Sequence, residues 1–402
     1  MLLRDFELSR ITPEHLKVNR PVPWPIYDEF GKLLMARGAL LRSERQKEIL
    51  ARVGLFAKDA EETPASPVPQ PLRFRRRVNP FAEFDELCLK LEEAFELIDQ
   101  ETPPPVGLVQ KRIYDIIVTL QGLRDYDADA LLGAVHLSDQ FAYPIHHPMQ
   151  IAVLAELILE RLQAPQEVRL AVMAACLTCN VAMNPYQQRL HQQKSPLNAQ
   201  QRKVINRHPE QGVQKLQQAG VTDDLWLEII AQHHEKLDGS GYPRALKGDQ
   251  IRREARVVAL ADVYSAMVTP RPYRSPIKHK DSLREIFIRR GSQFDEKLTL
   301  LFLNELGVYP PGVYVRLNNG ELAVVIGRTS DPKAPLVASV RKADGDLFLS
   351  PRRRNTASRQ FAIKSVCPVN ERMRVNPATL WGIDALRITQ VMPDLSSIAD
   401  LI

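Results

Sequence analysis

The chain contains 402 residues, of which 44% are hydrophobic and 25% are charged. This composition is typical of a globular protein with two or three folded domains, and it excludes a peptide, a fibrous protein and a wholly disordered chain. The 54 Lys and Arg against 48 Asp and Glu leave a net charge of +6, which suits an anionic partner but does not by itself indicate DNA or RNA binding, and neither is predicted.

The amino-terminal residues MLLRDFELSR place Arg4, Asp5 and Glu7 where a signal peptide would carry its apolar core. Nowhere does an uninterrupted apolar run approach the roughly 20 residues of a membrane-spanning helix. Four cysteines are too few to cross-link a chain of this length, which favours a reducing compartment. A cytoplasmic protein without a membrane segment is therefore expected.

The amino-terminal part of the chain alternates short apolar stretches with turn residues and then continues as RSERQKEILARVGLF, where Ile49, Leu50 and Val53 have helical spacing. Residues 1–60 are thus predicted to form a small α+β module. Residues 61–80 are rich in proline and arginine and lack periodicity, as is typical of an extended linker.

From residue 81 the pattern becomes helical, because apolar residues recur at intervals of three and four, beginning with Phe81, Phe84 and Cys88. Helices are predicted near 107–125, 147–163, 166–183, 199–218, 223–235, 253–268, 280–290 and 295–306. Further on, VYVRL, ELAVVIG and LVASV are separated by turn residues and predict a short antiparallel β unit. The fold is therefore predicted to be mainly α, with a helical domain over 81–307 and a β unit with an appendage over 308–402.

Histidines are concentrated in the helical part, where eight of the nine lie between positions 136 and 279. The densest motif is HHEKLDGSGYP, which begins with His233 and His234 at the end of a predicted helix. His208 lies in NRHPE, His147 begins a helical stretch, and Asp262 interrupts the apolar helix ARVVALADVYSAM, where a carboxylate needs a partner. Each histidine alone is explained by a buried or surface role, but together they predict a metal site, because neutral imidazole is the commonest metal ligand.

The ordered motifs RHPE, HHEKLDGSGYP and ADVYSAM, followed by Arg271-Pro272-Tyr273-Arg274, resemble the HD-GYP family. This family is the branch of HD-superfamily phosphohydrolases, which are metal-dependent phosphoric diester hydrolases, whose members cleave cyclic di-GMP. The resemblance covers about residues 130–310 and implies an HD-superfamily helical domain, with the small α+β module before it and the β unit after it.

The family's catalytic dyad lies in a motif of the form His-Asp-x-Gly-Lys. The corresponding segment here is AACLTCNVA, in which Thr178 takes the place of the His, Cys179 of the Asp, Val181 of the Gly and Ala182 of the Lys. All four informative positions of the motif therefore differ, and efficient hydrolysis is not expected.

The resemblance also implies two metals that share the dyad Asp. The first metal would keep only His147 and Asp262 of its four ligands, which is too few to hold a divalent ion well. The second would keep His208, His233 and His234, and three imidazoles with an open position form a known zinc arrangement. One divalent transition metal, Fe, Mn or Zn, is therefore predicted at the three histidines, and a full binuclear site is not.

Cys179 has two interpretations. With Cys176 it forms a Cys-x-x-Cys pair, and a thiolate can bind or bridge soft metals. Val172, Cys176, Cys179 and Met183 also form one apolar helical stripe, in which thiols behave as small hydrophobic groups, and the sequence favours this second interpretation.

Two further sets of residues carry predictions from the family. Arg271 and Arg274 match positions that contact the dinucleotide phosphate, although surface arginines would explain them equally well. The loop that names the family is represented by Asp238, Gly239, Gly241, Tyr242 and Pro243. In related proteins this loop is a proposed contact for diguanylate cyclases, whereas turn architecture alone would also explain its glycines and proline.

The sequence therefore favours a regulatory protein that binds cyclic di-GMP or a protein partner and hydrolyses little or none of the dinucleotide. The alternatives are an active phosphodiesterase that uses the three-histidine site and a scaffold that binds neither metal nor nucleotide. No pattern predicts an oligomeric state.

Overall fold

The computed structural model divides the chain into two compact units, Met1–Arg76 and Arg77–Ile402. The structure describes residues 8–18, 20–22, 24, 26–27, 33–35, 39–41, 43–57, 78–138, 140–193, 195–269, 279–367 and 371–382. Residues 61–77 of the predicted linker lie outside this set. Among the described helices, none combines the length and the apolar composition needed to cross a bilayer.

In its described residues, the amino-terminal unit contains a small antiparallel sheet and one α-helix. Its elements are β1 (Leu8–Arg10), β2 (Ile26–Tyr27), β3 (Leu33–Met35), α1 (Glu44–Val53) and β4 (Leu55–Ala57), with strand order β1-β4-β2-β3. The hydroxyl of Ser43 accepts a hydrogen bond from the backbone of Gln46 and so begins α1. Ile11, Ile26 and Leu41 are buried in its own apolar core.

The second unit is built mainly from helices. These are α2 (Pro80–Ile98), α3 (Leu108–Leu137), α4 (Tyr143–Arg161), α5 (Gln166–Thr178), α6 (Asn184–Gln192), α7 (Ala199–Gln218), α8 (Asp224–Gln232), α9 (Arg253–Val268), α10 (His279–Ile288), α11 (Glu296–Leu306) and α12 (Pro377–Trp381). Helix α4 is buried along nearly its whole length because α3, α5, α9 and α11 pack around it. His147, a predicted metal ligand, therefore lies on a helix that has almost no solvent-facing side.

The carboxyl-terminal strands form one antiparallel sheet. They are β5 (Tyr314–Leu317), β6 (Leu322–Gly327), β7 (Leu336–Arg341), β8 (Leu347–Asn355) and β9 (Ile363–Val366), in the order β8-β7-β6-β5-β9. Side chains alternate between two cores, since Val324 packs with the helices and Val325 with the opposite face. The prediction of a mainly α protein with a small sheet region towards each end of the chain is confirmed.

His136 links α3 to the segment before β5, and we expect it to make the protein sensitive to acid. Its Nδ1 lies 2.8 Å from the carbonyl oxygen of Pro311, and burial lowers its pKa to about 4. In the unfolded chain His136 has its ordinary pKa near 6.5 and binds a proton that the buried ring of the folded protein does not bind. The free energy of unfolding therefore falls as pH drops from about 6.5 towards 4. The slope is about 1.4 kcal/mol per pH unit for this one group.

Urea unfolding of wild type and His136→Gln, followed by circular dichroism at pH 7, 6 and 5, measures this contribution. The glutamine variant is expected to lose less stability with acid than wild type. His15→Gln, at an exposed position in the other unit, is the control and should follow the wild-type slope. Equal slopes for wild type and His136→Gln would contradict the assignment.

Candidate functional site

Four elements of the second unit bring the predicted ligands together. His147 lies in the second turn of α4, His208 lies in the middle of α7, and Asp262 lies in α9. His233 and His234 follow directly after α8. All five belong to the same buried region of the helical unit, although their sequence positions span more than a hundred residues.

Three of these side chains form a cluster with the geometry of a metal site. One nitrogen from each of His208, His233 and His234 lies within 4.8 Å of the other two. The ring centroids of His233 and His234 are 4.0 Å apart, and His208 lies 4.9 Å from His234. His208 and His233 are each only 1% exposed, so the cluster is closed to bulk water on that side.

Backbone carbonyls fix which nitrogen of two of these rings faces the cluster. Pro209 has no N–H, so the carbonyl of Ile205 lacks its usual helical donor and lies 2.6 Å from Nδ1 of His208. The carbonyl of Ile230, in the last turn of α8, lies 2.7 Å from Nδ1 of His233. Each Nδ1 thus donates its hydrogen to a carbonyl, which leaves both Nε2 atoms as bare acceptors.

The two bare nitrogens face each other at a distance that suits a shared cation. Nε2 of His208 lies 3.3 Å from Nε2 of His233, and two lone pairs at this separation repel each other. In a tetrahedral zinc site with Zn–N bonds of about 2.0–2.1 Å, neighbouring nitrogens are about 3.3 Å apart. The residues present therefore fit a divalent metal.

The surroundings keep the cluster neutral and so able to bind a metal. Burial, assisted by the neighbouring His233, lowers the pKa of His208 to about 3. Burial likewise lowers the pKa of His233 and holds that of His234 well below its usual range. Metal binding to these nitrogens therefore need not displace protons at neutral pH.

His147 and Asp262 form a second group beside the cluster. Nε2 of His147 lies 2.9 Å from a carboxylate oxygen of Asp262, and its Nδ1 lies 2.9 Å from the hydroxyl of Ser265. That hydroxyl donates to the side-chain oxygen of Gln150. Burial opposes ionisation of Asp262, but the hydrogen bond from His147 outweighs it and keeps the pKa of the carboxyl well below its usual range.

Asp262 connects the two groups. Its other carboxylate oxygen lies 3.8 Å from Nδ1 of His234, so one carboxylate lies between His147 and the three-histidine cluster. The five predicted ligands therefore form one continuous polar chain inside an apolar helical unit, with Asp262 at the junction.

The positions of the family dyad are occupied by side chains that serve the core. Thr178 ends α5 and is fully buried; its hydroxyl donates to the carbonyl of Ala174 at 2.7 Å. The same oxygen accepts the indole N–H of Trp226 at 2.8 Å. Val181 is buried as well. Every hydrogen-bonding contact of the Thr178 hydroxyl is thus directed at the protein itself.

Cys179 is equally enclosed. Its thiol is fully buried and lies 3.5 Å from the carbonyl oxygen of Cys176. Burial, with a smaller contribution from the carboxylate of Asp262, raises the pKa of the Cys179 thiol well above its usual range, and burial does the same for Cys176. Because the thiolate is the form that binds metals, these surroundings favour a neutral thiol.

The Gly-Tyr-Pro loop packs directly on the cluster. The Tyr242 ring lies 4.7 Å from that of His234 and 6.3 Å from that of His208. A side chain at Gly241 would place its Cβ 2.5 Å from the backbone of Glu235 and Lys236, so only glycine permits this close approach. Asp238 accepts a hydrogen bond from the backbone of Ser240 and shapes the exposed tip, and Gly239 adopts a positive φ of 80° there.

Glu235 holds this loop in place, and we expect its removal to loosen the loop. Its two carboxylate oxygens accept the backbone N–H groups of Arg244 at 2.7 Å and Leu246 at 3.0 Å. Glu235→Ala leaves both donors without this acceptor and is expected to lower the free energy of unfolding by about 1–3 kcal/mol.

Hydrogen exchange of the loop measures this effect. The amides of Arg244 and Leu246 should exchange roughly tenfold faster or more in Glu235→Ala. Glu92→Ala, at an exposed position of α2, is the matched control and should leave the loop unchanged. Unaltered protection in Glu235→Ala would show that other contacts hold the loop.

Several contributors to the site were not predicted from the sequence. Glu235 was part of the quoted motif but was given no role, and Trp226, Ser265 and Gln150 were not singled out. The signal for Ser265 was present, because it lies three residues after Asp262 on the same helical face. The predicted phosphate contacts Arg271 and Arg274 lie outside the described residues.

Comparison with known proteins identifies the helical unit. Residues 133–298 match the family model described as HD domain, and the chain thus carries a domain of the HD superfamily. The cyclic di-GMP phosphodiesterase PA4108 of Pseudomonas aeruginosa is 28% identical over 198 residues, which are 49% of this chain and 48% of that protein. A probable cyclic di-GMP phosphodiesterase of Vibrio cholerae is 50% identical over 78 residues, 19% of this chain and 18% of that protein.

A solved structure has a related description. Bd1817, a HDG"Y"P protein from Bdellovibrio bacteriovorus, superposes with a TM-score of 0.48 at 15% sequence identity, covering 74% of this chain and 99% of that one. The chain spans about half the length of the P. aeruginosa relative and less than a fifth of the V. cholerae one.

Proposed function

We propose that this chain is a regulatory protein of cyclic di-GMP signalling. It binds cyclic di-GMP, or a protein partner such as a diguanylate cyclase, and hydrolyses the dinucleotide little or not at all. The relatives named as cyclic di-GMP phosphodiesterases suggest the ligand class. The side chains at the dyad positions support a role in binding rather than in catalysis.

The observation that carries the proposal is the burial of the dyad segment. The Thr178 hydroxyl is engaged with Ala174 and Trp226, and the Cys179 thiol is enclosed beside Cys176. Neither side chain offers the imidazole or carboxylate that would complete a second metal site next to His147 and Asp262. Ala182 also lacks the ammonium group that a phosphate would need at that position.

The remaining polar groups support binding more than turnover. His208, His233 and His234 would hold one divalent metal, which when bound supplies a positive charge that attracts a phosphate oxygen. One carboxylate oxygen of Asp262 is hydrogen-bonded to His147, and the other lies 3.8 Å from Nδ1 of His234. Without one metal and the lysine, the transition state of hydrolysis loses electrostatic contacts. Each such contact contributes about 10²–10³-fold to the rate.

An active phosphodiesterase is the second candidate, because three imidazoles with an open position also form catalytic zinc sites. It requires the three-histidine cluster alone to activate the reaction. A scaffold that binds neither metal nor nucleotide is the third candidate.

One set of measurements separates the three. The purified chain is loaded with Fe, Mn or Zn, its metal content is determined, and cyclic di-GMP binding and hydrolysis are measured by calorimetry and by product analysis. The P. aeruginosa relative serves as the positive control for the hydrolysis assay. We expect close to one metal per chain, saturable binding of cyclic di-GMP, and hydrolysis at least about 10³-fold slower than that of the control.

The outcomes are distinct. Hydrolysis at the rate of the control would refute the regulatory proposal and establish the phosphodiesterase. Absence of both metal and saturable heat would refute dinucleotide binding and leave either a regulator that binds a protein partner or the scaffold. Binding without turnover is the expected result.

A further inference from the structure

A cleft next to the three-histidine cluster is lined with several positively charged side chains. It lies between the amino-terminal half of α7 and the Gly-Tyr-Pro loop and has a volume of about 510 Å³. The walls that matter here are formed by Arg202, Lys203, Asn206, Arg207, Tyr242 and Pro243. We call this space the α7 cleft. Its volume lies within the range of about 300–1,000 Å³ that is usual for small-molecule sites.

The charge of the α7 cleft favours an anion. Three cationic side chains face one carboxylate, that of Glu210. Within the described part of the chain, Lys203 and Arg207 form no salt bridge, and Arg202 contacts only the carbonyl of Leu197. The spacing of Lys203 and Arg207 places both on one side of the helix. Two cations on one wall of a concave space are therefore available to an incoming group.

The α7 cleft borders the cluster through one aromatic ring. Tyr242 lines the cleft and packs on His234, with ring centroids 4.7 Å apart. Arg207 directly precedes His208, a member of the cluster. A ligand seated against Tyr242 is thus one side chain away from the three histidines, whereas an ordinary solvated helix face has no such neighbour.

We infer that the α7 cleft binds a phosphate group of a nucleotide, with Lys203 and Arg207 as its contacts. Guanidinium and ammonium groups bind phosphate oxygens through charge-assisted hydrogen bonds, and Arg presents two parallel donors. This inference rests on the proposed function where the nucleotide is cyclic di-GMP. It assigns ligand-binding roles to two residues of α7 that do not belong to the metal cluster.

The test compares nucleotide binding by full-length variants. Lys203→Gln/Arg207→Gln removes both charges while keeping side chains that helices tolerate, and Lys111→Gln, at an exposed position of α3, removes one charge elsewhere as a control. Calorimetry is run with cyclic di-GMP and, separately, with GMP at 50 and 500 mM KCl. Metal content is measured in each variant, because Arg207 adjoins His208.

The double variant is expected to bind at least about tenfold more weakly with unchanged metal content, since each charge-assisted hydrogen bond contributes about a factor of ten or more. Wild-type affinity should fall at high salt, and the affinity of the double variant should fall less. Lys111→Gln should bind as wild type does.

The results distinguish the two proposals. Equal binding of cyclic di-GMP by wild type and the double variant would overturn the inference and leave the proposed function standing. Binding of GMP that depends on Lys203 and Arg207, without any binding of cyclic di-GMP, would support the α7 cleft and overturn the proposed ligand. Binding of neither nucleotide to wild type would overturn the inference.

Discussion

Thr178→Ala is expected to lower the free energy of unfolding by about 1–3 kcal/mol. Thr178 and Trp226 are both fully buried, and the threonine hydroxyl accepts the indole N–H at 2.8 Å. Alanine leaves that buried N–H without the acceptor that it has in wild type. Thr178→Ser keeps the hydroxyl and should lose much less stability, which makes it the matched control.

Thr178→His introduces the residue that the family dyad has at this position. It should lower the free energy of unfolding further than Thr178→Ala does, by about 2–4 kcal/mol. The imidazole is larger than the side chain that it replaces and enters a position that has no room for it, so packing strain adds to the lost hydrogen bond. Urea unfolding of each variant measures the difference. If Thr178→His were as stable as wild type, the dyad position would be an adaptable part of the site rather than part of the core.

A Trp226→Phe background shows whether the stability lost in Thr178→Ala comes from the hydrogen bond between the two residues. In a Trp226→Phe background there is no indole N–H to satisfy, so Thr178→Ala should cost clearly less than it does in wild type. Additive effects of the two substitutions would mean that the bond contributes nothing and that the threonine matters only through its methyl group.

The same bond bears on any attempt to restore catalysis. Changing Thr178→His, Cys179→Asp, Val181→Gly and Ala182→Lys rebuilds the family motif, but it puts a histidine and an aspartate among side chains that pack against Trp226. We expect no recovery of cyclic di-GMP hydrolysis from these four changes alone. Hydrolysis at the rate of an intact relative would show that only the motif had been lost.

Those parts of the fold were predictable whose sequence pattern is local, such as the apolar periodicity of a single helix. The extents of α7, α9 and α11 follow from apolar periodicity and agree with the predicted stretches to within a residue. A helix was predicted near 107–125, and the backbone of α3 does leave helical geometry at Asp127. The carboxylate of Asp127 accepts the backbone N–H of Ala130 and begins a second helical stretch that runs to Leu137 and was not predicted.

The candidate site divides in the same way. His208 and His233 were predicted as ligands because each lies in its own short motif, NRHPE and HHEKLDGSGYP, that can be recognised in the sequence. The hydrogen bond between Thr178 and Trp226 joins residues 48 positions apart, and no local pattern indicates it. The α7 cleft likewise exists only because a loop some 35 residues downstream closes over the helix. Contacts set by tertiary packing are the part that the sequence alone leaves open.

Loss of metal in His233→Ala is the largest effect that we expect. Nε2 of His233 faces Nε2 of His208 at 3.3 Å, so its removal takes away one of three ligands and the geometry that the pair defines. Two imidazoles hold a divalent ion poorly, and metal content should fall from about one per chain to less than about one tenth. Elemental analysis after gel filtration measures it, and His15→Ala in the amino-terminal unit is the control.

His147→Ala then decides how many metals the site holds. His147 lies outside the three-histidine cluster and binds Asp262, so a single metal at the cluster should remain in this variant. A binuclear site would lose part of its metal instead. Metal should also raise the melting temperature of wild type but not of His233→Ala, because an ion that binds only the folded state stabilises it by mass action. Equal melting temperatures of wild type with and without metal would contradict metal binding at the cluster. The repulsion between the facing nitrogens of His208 and His233 would then be relieved by something other than a bound cation.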